Sequence, residues 1–193
     1  MIDNRLWWYV ARSSGLVAWA LLAGSMLWGL ALTTRAFAGR ASGRWLLDLH
    51  RWLGGLAVVF VGLHLATIVG DSFVHFGIAD VLVPFASKWR PGDVAWGVVA
   101  MYFLVAVEVT SLLRRRLPPK LWRAVHSLSF PLFVVATVHG LLAGTDTARA
   151  WAQWSMIGAS MAVAFLAVAR TVAPNLDRGA STTTENSSQH GIH

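Results

Sequence analysis

WLLDLHRWLGGLAVVFVGLHLATIVG, Trp45 to Gly70, is the stretch that decides the fold. It is long and apolar enough to cross a ~30 Å hydrocarbon core as a helix, which takes ~20 such residues. Yet it carries His50 and His64 inside it. Ionisable side chains at membrane depth are rare and costly, and are functional by default. A second run of the same kind, LWRAVHSLSFPLFVVATVHGLL from Leu121 to Leu142, carries His126 and His139.

Three more apolar runs surround these two: Trp8 to Leu32, Val94 to Leu113 and Trp151 to Val172. In lipid only helices and closed barrels satisfy the backbone, and these runs are too long and unbroken for barrel strands. The expectation is an all-α polytopic membrane bundle of about five helices, formed by residues 1–173. The remainder, 174–193, is polar and is expected to be a disordered tail. His190 and His193 fall in it and are poor candidates for a site. His75, in a loop with no partner at its level, reads as a surface residue.

With 56% hydrophobic and 13% charged residues, the composition is not that of a soluble domain. Many of the eleven tryptophans stand at the edges of runs (Trp7, Trp8, Trp45, Trp89, Trp96, Trp122, Trp151, Trp154), as an aromatic belt does. The net charge of +7 comes from short loops beside apolar runs, which indicates membrane topology and anionic lipid rather than nucleic acid. The absence of cysteine excludes disulfides, thiolate-held clusters and cysteine catalysis within the chain.

Arg35, Arg40 and Arg44 follow the first run, and Arg114, Arg115, Arg116, Lys120 and Arg123 follow the third; Arg170 and Arg178 lie on the same side. The other side has Arg5, Arg12, Lys88, Arg90 and Arg149, diluted by Asp3, Asp71, Asp80, Asp93 and Asp146. The asymmetry predicts a plasma-membrane (inner-membrane) protein with its N-terminus outside and its C-terminus in the cytoplasm. Ala36-Phe37-Ala38 also reads as a signal-peptidase site, which would make the first run a removable signal and leave all four histidines in place.

The two histidine-bearing spans are separated by one other, so they run in the same direction. Fourteen residues separate His50 from His64, and thirteen separate His126 from His139. At helical rise these are ~21 Å and ~20 Å, so the pairs are level. Histidine is a usual axial ligand of haem iron. Two haems held one above the other between the second and fourth spans would form a path for electrons across the bilayer. Facing is less regular: fourteen residues return to within ~40° of the same face, whereas thirteen leave roughly 140°. Pro131 lies between His126 and His139 and can kink or rewind the helix.

Gly54, Gly55, Gly62 and Gly140 offer backbone without bulk beside a flat macrocycle, or ordinary close helix packing. Arg51 and Arg123, next to the inner histidines, suit haem propionates or positive-inside anchoring. Glu108, inside the third span, must be neutralised, protonated or paired.

The segments LHRWLG (Leu49–Gly54), GLHL (Gly62–Leu65), TSLLRRRL (Thr110–Leu117), LWRAVHSLSF (Leu121–Phe130) and VHGLLAGTD (Val138–Asp146) resemble the ferric reductase-like transmembrane family, which includes the haem-bearing part of NADPH oxidases. The histidine spacings match too, including the thirteen. The resemblance implies two haems b with bis-histidine ligation, His50 with His126 and His64 with His139. It also implies electron transfer from the cytoplasmic to the outer face, towards ferric iron, oxygen, a quinone or a protein. Many members have six spans and continue into a flavin and nicotinamide domain. Here five are counted and no GxGxxG turn is present. The expectation is therefore an oxidoreductase component that does not itself oxidise NADPH and takes electrons from a separate cytoplasmic flavoprotein or a quinol. The rival class is a non-redox membrane protein, a haem carrier or small-molecule transporter, for which an internal repeat would speak and none is evident.

A reporter fused after Asn175 that is active only outside the cytoplasm should stay silent; a strong signal would invert the topology.

Overall fold

A computed structural model describes residues 4–33, 43–71, 76–145 and 149–189, apart from the side chains at 4, 5, 43 and 172–189. Arg35, Arg40, the Ala36–Ala38 site, His75, Asp146, His190 and His193 lie outside the described residues. The chain runs α1 (Asn4–Thr33), α2 (Gly43–Gly70), a short α3 (Ile78–Leu82), α4 (Pro91–Leu112), α5 (Pro119–His126), α6 (Ser129–Ala143) and α7 (Ala150–Gln189). No strand occurs among the described residues. Five stretches are long and apolar enough to cross a membrane: Leu6–Thr33, Arg44–Gly70, Pro91–Leu112, Pro119–Ala143 and Ala150–Thr171. The protein is an all-α, multi-pass membrane bundle. The helix α7 continues to Gln189 through the polar stretch from Pro174, where composition predicts no ordered structure. A helix closes most backbone hydrogen bonds within itself and needs no packing partner to do so.

The bundle is organised around α1, which packs on α2, α6 and α7, while α4 packs on α6. Trp28 on α1 donates its indole N–H to the Leu46 carbonyl of α2 at 2.9 Å and meets Trp45 edge-on. Trp19 donates to Thr137 Oγ1 on α6 at 3.0 Å and stacks on Phe133. One buried cluster joins Ala23, Met26 and Leu30 of α1 to Phe133 and Val163. A second joins Ala100 and Leu104 of α4 to Leu132 and Val135 of α6. Large apolar side chains such as Val59, Phe165 and Met161 point outwards, as a surface solvated by acyl chains requires. The helix α2, with His50 and His64, thus lies on α1, whereas α5 and α6, with His126 and His139, lie on α4, and the two sets face each other across a cleft.

The fourth crossing is not one helix. Pro131 has no N–H, so the Ser127 carbonyl loses its regular donor four residues on. Phe130 N–H reaches it instead at 3.2 Å, and Leu128 N–H bonds Val125 O at 3.0 Å. These i→i+3 bonds tighten the turn, advancing the chain by ~120° per residue rather than ~100°. The break falls just after His126, so His126 and His139 sit on separate helices and the ~140° mismatch of an ideal continuous helix does not apply.

A double-mutant cycle of Trp19→Phe and Thr137→Val, read by thermal unfolding in detergent, should give a coupling of about 0.5–1.5 kcal/mol, the usual range for interhelical hydrogen bonds in membranes. Additive effects would show that the bond does not hold α1 to α6.

Candidate functional site

The four intramembrane histidines come together as two facing pairs. The rings of His50 and His126 have centroids 6.2 Å apart with planes at 79°. Those of His64 and His139 are 6.5 Å apart at 75°. All four are half-buried. At these separations the members of a pair do not hydrogen-bond each other.

Three of the rings are anchored through Nδ1. His64 Nδ1 lies 2.7 Å from the Ala11 carbonyl, His139 Nδ1 lies 2.8 Å from the Asp93 carbonyl, and His50 Nδ1 lies 3.0 Å from the Ser25 carbonyl, with Ser25 Oγ at 3.2 Å. A carbonyl only accepts, so Nδ1 carries the hydrogen in each. In a neutral ring Nε2 is then left with a free lone pair. The fourth ring differs. His126 Nδ1 is buried without a hydrogen-bond partner, and the ring stacks on Trp122 at 5.1 Å and 21°. Arg114 lies over that indole, its Cζ 4.3 Å from the ring centroid.

His64 and His139 border an apolar cavity of about 320 Å³ between the two packed pairs of helices. Ala57 and Val61 of α2 line one wall, and Leu132 and Ala136 of α6 line the other; Arg12 and Trp89 also border it. Arg12 packs over Trp8. Arg90 forms an ion pair with Asp93 at 2.6 Å at the entry to α4, close to the carbonyl that holds His139.

The glycines and arginines singled out in the sequence make other contacts. A Cβ on Gly54 would stand 2.5 Å from Glu108 Oε1, so the space there belongs to the Glu108 carboxyl. Gly55 and Gly62 meet nothing within 4 Å, and Gly140 packs against Met156 of α7. None of these four glycines has a histidine ring in the space a Cβ would take: Gly54 and Gly140 pack against Glu108 and Met156, while Gly55 and Gly62 face open space, and Gly140 also borders the cavity beside His139. Arg51 pairs with Asp48 at the surface at 3.3 Å, and Arg123 is exposed. The glycines that do touch the rings, Gly15, Gly29 and Gly97, escape a reading that looks only at the histidine-bearing helices. One signal was present: Gly15 and Gly29 are fourteen residues apart, as are His50 and His64 on the antiparallel neighbour.

Nitrogen-15 NMR of histidine-labelled protein should show His50, His64 and His139 as Nδ1-protonated. Nε2-protonated rings at these positions would contradict the anchoring.

A family model described as ferric reductase like transmembrane component matches residues 14–137. The protein-methionine-sulfoxide reductase heme-binding subunit MsrQ of Rhodospirillum rubrum is 31% identical over 125 residues, covering 60% of this chain and 57% of that protein. The similarity thus spans less than two thirds of the relative's length. No solved structure matches the chain closely enough to compare.

Proposed function

We propose that this chain, which belongs to the ferric reductase-like transmembrane component family, binds two haems b and carries electrons across the membrane. The observation that carries this reading is the pair of facing histidine couples. A ligating imidazole nitrogen sits about 2 Å from a first-row metal, with the ring centroid about 1 Å further back. Two rings on opposite sides of one iron therefore have centroids a little over ~6 Å apart, against 6.2 and 6.5 Å here.

The donor set fits haem in other respects. Among the described residues no three His, Asp or Glu converge as a site for a bare ion. Two nitrogens per site suit a metal that arrives with its equatorial ligands already in place. Three rings keep Nε2 available because Nδ1 is engaged, the arrangement typical of metal-bound histidine. The chain has no cysteine, so thioether attachment in the manner of c-type haem is excluded within it, and non-covalent binding, as of haem b, is the mode this supports. The relative named as a heme-binding subunit points the same way.

In this reading His50 and His126 hold the inner haem, and His64 and His139 the outer one. A bound haem supplies an iron that takes up and releases one electron. The protein's residues fix ligand geometry, and the apolar walls between α2 and α6 keep water from the outer site. The two ligand levels are ~21 Å apart along α2. The inner level lies at the basic end of the bundle, where Arg115, Arg116 and Lys120 are exposed and would attract an acidic cytoplasmic flavoprotein; a quinol from the bilayer is the other donor class. Electrons leave at the outer face. The orientation is N-terminus out and C-terminus cytoplasmic, in the plasma membrane, with residues 174–193 outside the haem-bearing unit of 1–173.

Haem quantification of single His→Ala variants tests this. Wild type should hold two haems per chain. His64→Ala and His139→Ala should lose the outer haem, and His50→Ala and His126→Ala the inner one. Full haem content in all four would overturn the assignment.

A further inference from the structure

Three of the four histidine rings are seated by the same device. The accepting carbonyls belong to Ala11, Ser25 and Asp93, and the residue four positions on is Gly15, Gly29 or Gly97 in each case. In a helix the Cα–Cβ bond tilts back towards the N-terminus, so a side chain covers the turn before it. The carbonyl of residue i is thus screened by the side chain at i+4. Glycine leaves that carbonyl open to a second donor from outside the helix.

The contacts bear directly on this. A Cβ on Gly15 would lie 3.0 Å from both Cε1 and Nδ1 of His64. On Gly29 it would lie 3.1 Å from Cε1 of His50, and on Gly97 2.7 Å from Cε1 and 2.9 Å from both nitrogens of His139. In each case the ring occupies the space that a methyl group would take. His126 has neither carbonyl nor glycine, and its Nδ1 is buried without a partner.

We infer that Gly15, Gly29 and Gly97 are positioning residues, each opening a backbone carbonyl that anchors a haem-ligating imidazole, so that the outer pair is anchored on both sides and the inner pair on one. The inference rests on the haem reading above. An Nδ1–H bond to a carbonyl fixes the tautomer and raises the basicity of Nε2. A more basic axial ligand favours ferric over ferrous iron, so loss of an anchor should raise the midpoint potential of that haem alone.

The test is potentiometry and haem stoichiometry on the full chain for Gly15→Ala, Gly29→Ala and Gly97→Ala. Gly24→Ala on α1 and Gly92→Ala on α4 are controls, because a Cβ at either meets nothing within 4 Å. Gly15→Ala and Gly97→Ala should raise the potential of the outer haem or weaken its binding about 10–100-fold, the usual effect of losing an outer-shell partner. Gly29→Ala should do the same to the inner haem only. The controls should match wild type. Gly15→Ala and Gly29→Ala chains that keep both haems at wild-type potentials would overturn the inference, whether or not Gly97→Ala accumulates. Wild-type protein that binds no haem would overturn the functional reading itself.

Discussion

An imidazole placed in hydrocarbon has two ring nitrogens to satisfy and no water to do it, and the bundle is arranged around that demand. On the ring of His64 one nitrogen is given to a backbone carbonyl of α1, which leaves the other free, and the ring of His139 lies 6.5 Å away between centroids. The packing follows from this division. The helix α2 must lie against α1 closely enough for carbonyl contact, and α6 must lie equally close to α4. The two pairs then stand apart where the free nitrogens point, and the cleft between α2 and α6 is what remains. An apolar wall of Ala57, Val61, Leu132 and Ala136 completes it, which raises the cost of leaving those nitrogens unliganded.

Most of this frame was legible in the sequence because its signals are large. Runs of ~20 apolar residues have few meanings, and four histidines within two of them at nearly equal spacing have fewer. The thirteen-residue spacing looked wrong on an ideal helix because periodicity assumes an unbroken one. Pro131 was visible, but the position of the break, after His126, depends on which neighbouring N–H groups take over the orphaned Ser127 carbonyl. That is a three-dimensional choice.

Glycine proved the least legible residue. Gly54, Gly55 and Gly62 share a helix with His50 and His64, yet they serve Glu108 and the outer surface. The glycines that admit the rings lie on α1 and α4, and only helix pairing identifies them. The asymmetry at His126 was equally hidden, since its sequence neighbours look no poorer in polar partners than those of His139. Arg51, next to His50, and Arg123, one turn before His126, are turned to the surface, where ion pairs contribute little to stability.

The ring planes supply the most direct measurement. The angle between axial imidazole planes sets how nearly degenerate the iron dπ orbitals are, and so how anisotropic the ferric signal is. With planes at 79° and 75°, low-temperature EPR of the oxidised protein in membranes should show two strongly anisotropic low-spin signals, one for each histidine pair. High-spin ferric signals, the rhombic spectrum of parallel rings, or no haem signal at all would contradict the account.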